Sequence, residues 1–319
     1  MKKQNRIIIG ALFATATLVG LSMLTGCQKA PTLSLGDVPT PGFDAVVGSD
    51  GHTVTLVNKS TGASIAYYAV PDINLGYGDL SGDSVKVNFI FPGTYSIKML
   101  MVSSGGVDSL TKTVTTTAPD ADACSSTKAL GFIASCTQKT WKLKPAVGSL
   151  WVSQFAGGDG SWWASGAGDV TARPCTFNDS YTFKFTKSGD YVYDDGGDFY
   201  AEDYSGDPSW GCRASSTYPA NQANWASGNF KYTVIPGGGV KGLGQLKVLG
   251  TGAHIGLNKP INNNEVTNSS TTAITYDIWS MRTNVTDALG TYDELVLTFH
   301  YASWSATEGW WTFTLYSLH

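Results

Sequence analysis

Glutamate is scarce. The 319 residues hold four, Glu202, Glu265, Glu294 and Glu308, and no stretch carries the alternating carboxylates of an E-x-D-x-E strand. A glycosidase works with two placed carboxylates, so that reaction class has little to draw on. Histidine is equally thin, at His52, His254, His300 and His319. The signatures HExxH, GxSxG and the P-loop are absent, and with them the usual marks of metalloproteases, serine hydrolases and phosphate-binding folds. The one glycine-rich run that invites a dinucleotide reading, "GTGAHIG" at 250–256, is spaced G-x-G-x-x-x-G with no helix pattern after it. It reads instead as a bulged or tightly packed strand in which His254 is a satisfied core histidine. No CxxC or Cys/His metal spacing occurs, and no tryptophan lies in the first 140 residues. These absences point to a protein that binds rather than catalyses, with no cofactor.

What is present begins at the N-terminus. Lys2, Lys3 and Arg6 form a basic head, Ile7 to Met23 an apolar stretch, and Leu24-Thr25-Gly26-Cys27 follows at once. This resembles a bacterial lipoprotein signal peptide with its lipobox. The resemblance implies cleavage before Cys27 and a lipid on its thiol, and residues 1–26 are set aside from the fold. Without Lys2, Lys3 and Arg6, 18 basic residues face 25 acidic ones, a formal charge near −7. Nucleic acid needs a basic surface to replace its counterions, so it is excluded as a partner. Four cysteines remain in an exported chain: Cys124, Cys136, Cys175 and Cys212. Two disulfides are expected, most simply Cys124 with Cys136 and Cys175 with Cys212, among three possible connectivities.

About 290 mature residues suggest two domains, and the tryptophans mark the division: all ten lie between Trp141 and Trp311. Residues 27–42, with Pro31, Pro39 and Pro41, read as a tether. Over 43–118, "SVKVNFIF" sets Val85, Val87, Phe89 and Phe91 on one face, and "GTYSIKMLMV" does the same with Tyr95, Ile97, Met99 and Met101. This alternation predicts an antiparallel β-sandwich. The segment "FPGTYSIKMLMVSSGGVDSLTKTV" resembles the C-terminal half of a polycystic-kidney-disease (PKD) repeat, an immunoglobulin-like module, which implies a spacer. Residues 119–140 form a linker whose "TKALGFIAS" predicts the only short helix of the mature chain. From 141 to 319 short strands such as "SYTFKFT", "NFKYTVI" and "DELVLTFHY" alternate with Gly, Asn and Asp turns, with no long period of 3.6. The fold class expected is therefore all-β, with a larger C-terminal sandwich and a closed barrel as its alternative.

Within that second domain the tryptophans divide. Trp311 alternates with Phe313 and Leu315, and Phe183 and Phe185 sit in a strong strand; these read as core. Trp162, Trp163, Trp210 and Trp225 instead lie in "DGSWWASG", "GDPSWGC" and "NQANWASG", polar stretches suited to a ligand surface. Tyr200 and Tyr204 join them from "DYVYDDGGDFYAEDYSGD", where carboxylates stand beside rings, as a sugar's hydroxyls and C–H face require. The acidic density at Asp194, Asp195 and Asp198 also admits a structural Ca2+, without the EF-hand spacing. The stretch "GGDGSWWASGAGD", 157–169, looks unable to form a helix or an ordinary core strand. Neighbours on an extended segment face opposite ways, so one of Trp162 and Trp163 is expected to anchor on the core and the other to stay open.

The lipobox, the PKD-like segment and the tryptophan-dense domain together resemble PKD-containing lipoproteins of Bacteroidota that stand beside SusC/SusD-like glycan uptake systems. That resemblance implies a lipid-anchored outer-membrane protein facing the cell exterior. It implies a polysaccharide or oligosaccharide ligand, with β-1,3-glucan such as laminarin the expected class, and a SusC/SusD-like transporter as partner. A surface glycoside hydrolase and a purely structural adhesion protein are the alternative functions.

Overall fold

The computed structural model describes residues 36–319 apart from 63, 159, 161, 203–209, 262–263 and 303–307. Cys27, Tyr204 and the signal and tether segments before residue 36 therefore lie outside the described residues. Among the described residues no helix is long and apolar enough to cross a membrane.

Seven strands come first: β1 (Phe43–Val47), β2 (Thr53–Asn58), β3 (Ile65–Val70), β4 (Leu75–Ser81), β5 (Ser84–Asn88), β6 (Gly93–Ser103) and β7 (Gly106–Thr116). They form two antiparallel sheets, β1-β2-β5 and β4-β3-β6-β7, packed face to face as an immunoglobulin-like sandwich. The period-two pattern drives this: Tyr95, Ile97, Met99 and Met101 are all buried, against Phe43, Val54, Leu56 and Val87. The Tyr95 hydroxyl returns to the carbonyl of Phe91 at 2.6 Å, a corner that fixes the entry to β6. Phe91 itself departs from the expected face. The strand stops at Asn88 ahead of Pro92, and Phe91 turns outward to meet Phe185, ring centroids 5.5 Å apart.

A helix, α1 (Ala129–Ala134), stands in the "TKALGFIAS" segment, and the Cys124–Cys136 disulfide brackets it. The remaining strands are β8 (Gln138–Leu143), β9 (Leu150–Ser153), β10 (Trp163–Ala164), β11 (Ser180–Lys184), β12 (Asp190–Asp194), β13 (Asp198–Ala201) and β14 (Gly211–Ala214). They continue with β15 (Gly228–Ile235), β16 (Gln245–Leu249), β17 (Pro260–Ile261), β18 (Asn264–Glu265), β19 (Ala273–Asp287), β20 (Gly290–Ala302) and β21 (Glu308–Leu318).

Eight of these close an antiparallel barrel in the order β8-β11-β12-β15-β16-β19-β20-β21, sealed by β21 on β8 at Leu315↔Leu143 and Tyr316↔Lys142. The second domain is thus the barrel, the alternative to the sandwich. Closure removes most of the open edge, which persists at the short strand β10 paired on β9. The first barrel strand is interrupted rather than ended. Pro145 cannot donate to the ladder, so the chain loops out after Lys144, whose N–H bonds to Thr314, and re-enters at Ser149, whose carbonyl accepts from Thr314. From there β9 pairs with the upper part of β21, Leu150↔Phe313 to Ser153↔Trp310.

The barrel is filled. Trp141, Tyr181, Phe183, Tyr191, Tyr276, Phe299 and Phe313 occupy its core with aliphatic residues from β8, β16, β19, β20 and β21, and Phe132 and Ile133 of α1 join the same cluster. Trp141 donates its indole N–H to the carbonyl of Ile133 at 2.8 Å. The "GTGAHIG" segment is a buried loop rather than a strand: Ala253, His254 and Ile255 pass into the core, and Ile255 N–H donates to the Tyr276 hydroxyl at 2.9 Å. Gly252 is required there, because at φ +85° a Cβ would lie 2.0 Å from the carbonyl oxygen of Asn224.

α1 is not the only helix after Cys27. "GAGDVTARPCTF" forms two more, α2 (Ala167–Ala172) and α3 (Pro174–Phe177). Asp169 accepts the N–H of Gly166 at 2.8 Å and so caps α2, while Pro174 opens α3 at the position where a missing N–H costs nothing. The "SWWASGAGD" stretch therefore yields both a short strand and a helix start, contrary to its composition.

Candidate functional site

The described residues between β9 and α2 lie against the outside of the barrel, and glycine makes this possible. Gly157 adopts φ +57° against the face of Trp279, where a Cβ would sit 2.1 Å from the ring. Gly160 adopts φ +71° over Trp151, and its N–H donates to the Ser153 hydroxyl at 2.8 Å. Larger residues would lift the segment off both indoles. Trp279 reaches this place because β19 carries a bulge between Ile278 and Ser280, which re-aims the side chain. The Lys241 ammonium lies 4.2 Å from its ring centroid.

The two adjacent tryptophans face different environments. Trp163, on β10 opposite Val152, meets the edge of Trp311 with ring centroids 5.9 Å apart and is half-buried. Trp162 is 39% exposed and Phe155, earlier in the same segment, 68% exposed. Trp310 points outward from β21 beside Ser153, with the His300 ring 5.2 Å away. Trp151 and Trp279 thus lie beneath this segment, at Gly160 and Gly157, while Phe155 and Trp162 are its exposed rings and Trp310 stands on β21 opposite Ser153. Of these only Trp162 is singled out by composition. Phe155 was missed, although its place just before the glycine pair marks it as part of the same loop, whereas Trp279 depends on a bulge that no sequence pattern announces.

The other expected ligand residues do not join this surface as a group. Trp225 is 1% exposed, in a turn whose backbone is tied at Gln222, so it is a buried structural indole and not a platform. Trp210 is 46% exposed at the entry to β14. Tyr200, on β13, carries the Arg173 guanidinium 3.9 Å from its ring centroid, so one of its faces is already covered. The hairpin β13-β14 is tied to α3 by the Cys175–Cys212 disulfide, Cα atoms 5.8 Å apart.

Beneath that hairpin is a small polar pocket of about 30 Å3 lined by Arg173, Asp179, Tyr193, Glu202, His254 and Lys259 among others. Asp179 accepts from Tyr193 at 3.1 Å and Tyr181 at 3.4 Å through Oδ2, while Oδ1 finds no donor among the described residues. Burial pushes its carboxyl well above the ordinary carboxylate range, only partly offset by the Tyr193 hydroxyl. His254 bonds the Gly252 carbonyl through Nδ1 at 2.8 Å, and burial holds its imidazole down to about 4. Glu202 is paired with Arg173 at 3.1 Å and Lys259 at 2.8 Å.

The acidic run is engaged in holding turns. Both oxygens of Asp195 are taken, by the hydroxyls of Ser227 and Ser215 at 2.6 Å each and by backbone N–H groups of Gly197 and Ser227. Asp194 accepts from Gly196 N–H, and Asp198 from the Asn178 amide. Donors thus face these carboxylates where a cation would need to sit, and among the described residues no group of three metal-ligating side chains forms.

No family model matches the chain, and no curated protein does. Among solved structures it is similar to the PKD1 domain of Vibrio anguillarum Epp, at 19% identity and a TM-score of 0.22, over 26% of this chain and 98% of that one. It is likewise similar to the PKD1 domain of the Vibrio cholerae metalloprotease PrtV, at 17% identity and a TM-score of 0.22, over 25% of this chain and 99% of that one.

Proposed function

We propose that this chain is a surface glycan-binding lipoprotein, anchored through Cys27, that captures a polysaccharide for a SusC/SusD-like uptake system. The observation that carries the reading is Trp162: a partly exposed indole on the same segment as the exposed Phe155, which is pinned to the barrel through Gly157 and Gly160 and through the Trp163–Trp311 contact. A ring held in place before the ligand arrives loses little freedom on binding. Its apolar face suits the C–H face of a pyranose, and the exposed Phe155 ring of the same segment adds apolar area for a further sugar. β-1,3-Glucan is the class proposed, from the resemblance to PKD-containing lipoproteins of Bacteroidota.

Affinity electrophoresis of residues 28–319 through gels with and without laminarin tests this, with the released reducing ends measured in parallel. Retardation without new reducing ends supports the binding reading. Retardation with them supports the second reading, a glycoside hydrolase. Migration unchanged by laminarin and by a panel of other polysaccharides overturns both. In cells, Cys27→Ser is expected to leave an unprocessed precursor without lipid label, and normal maturation would remove the anchor from the proposal.

A further inference from the structure

The two domains touch through specific contacts. Asn74 donates its amide to the carbonyls of Ser188 at 2.7 Å and Tyr232 at 3.2 Å. Asp79 accepts Lys247 through both oxygens, at 2.9 and 3.0 Å, and Ile235 of β15 is buried in the sandwich's own core. Between these contacts a cleft of about 550 Å3 stays open. Its walls are large apolar side chains left only half-buried: Leu80 and Phe91 from the sandwich, Leu130 from α1, and Phe185, Val234 and Met281 from the barrel. A volume in this range, apolar walls and a position between domains are the properties of small-ligand sites.

The rim has a sign. Lys86, Lys128 and Lys187 stand on it against a single carboxylate, Asp120. That carboxylate is already engaged by the Asn88 amide at 2.5 Å and the Asp122 N–H at 3.0 Å, and it faces Lys128 at 3.5 Å. Lys187 lies 4.1 Å from the Tyr95 ring centroid, and neither it nor Lys86 has an acidic partner among the described residues. A sugar would leave its hydroxyls unmatched against these walls, and a purely apolar molecule would make no use of the lysines.

We propose that this cleft binds a single-chain amphiphile, its apolar body between the domains and its anionic head, carboxylate or phosphate, at Lys86 and Lys187. The proposal is independent of the glycan reading.

Isothermal titration of residues 28–319 with oleate, lysophosphatidylglycerol and oleyl alcohol, each below its micellar concentration, tests it. One site per chain is expected, with at least one of the two anions bound tenfold or more tighter than the alcohol; whichever binds identifies the head. Lys86→Glu combined with Lys187→Glu is expected to abolish that preference. Leu80→Trp and Met281→Trp, which fill the cleft from opposite walls, are each expected to weaken binding at least tenfold with melting temperature and near-ultraviolet dichroism retained. The inference is overturned by the absence of saturable binding, by an alcohol that binds as tightly as both anions, or by unchanged affinity in whichever filled variants fold.

Discussion

Trp163 meets the edge of Trp311 at 5.9 Å between ring centroids and 61° between planes, while the residue before it, Trp162, keeps 39% of its surface exposed. Two identical side chains joined by one peptide bond thus have different energetic roles. Trp163→Ala is expected to cost about 2 kcal/mol, part of the roughly 3 to 5 kcal/mol of a fully buried indole. Trp162→Ala is expected to cost less stability than Trp163→Ala, because more of its ring is already in water, while weakening glycan retention roughly fivefold, the worth of one stacking ring. Calorimetry and affinity gels on the two variants check this; equal melting and equal retention in both would remove the platform.

The Cys175–Cys212 bridge ties the β13-β14 hairpin to α3 across a separation of 37 residues. Closing a loop of that size stabilises the fold by roughly 3 to 4 kcal/mol on the chain-entropy estimate. The double Cys→Ser variant should therefore melt several degrees lower than the parent. Free thiols at both positions in non-reduced peptide maps would refute the premise.

Acid should destabilise the barrel through His254. Its folded-state value of about 4 lies below the ordinary 6.5, so the unfolded chain takes the proton first. The stability it contributes is complete above pH 6.5 and is lost as pH falls toward 4, about 3 kcal/mol in all. Asp179 runs the other way: its raised carboxyl contributes fully below the ordinary carboxylate range and less as pH rises through its folded value. Urea midpoints measured against pH should fall less steeply toward acid in His254→Gln and more steeply in Asp179→Asn. Identical slopes in His254→Gln and the parent would show that the imidazole is not held neutral.

The Asp79–Lys247 pair joins the sandwich to the barrel with both side chains largely shielded. Removing one partner leaves a shielded charge alone, at a cost of about 2 to 3 kcal/mol concentrated at the interface. Asp79→Asn is expected to separate unfolding into two transitions and to expose the 119–128 segment to limited proteolysis. A single cooperative transition, unchanged in midpoint, would mean that the pair contributes nothing.

The strands were largely legible, because alternation is a local property. Tyr95, Ile97, Met99 and Met101 point inward in the structure as their spacing requires, and the β8 to β21 segments follow the runs between Gly, Asn and Asp turns. The candidate surface was legible only in part. Trp162 could be found from its polar surroundings, and by the same token Trp225, in equally polar surroundings, was misjudged: a turn can fold inward as readily as outward, and composition does not distinguish the two. Trp151, Trp279 and Trp310 lie in strands, where nothing local distinguishes an indole turned outward from one turned to the core.

What the sequence determined by itself was the all-β class, the strand faces, the seat of α1 and the presence of four cysteines able to form two bridges; each depends on residues close together in the chain. Tertiary structure alone decided that the second domain closes into a barrel, because closure rests on Leu315 meeting Leu143 from the far end of the domain. It also decided that Gly157 and Gly160 would lie on Trp279 and Trp151, and that half-buried apolar walls from two domains would face one another across a cleft. Such relationships join residues distant in sequence, and their energy comes from surfaces that exist only once both partners have folded.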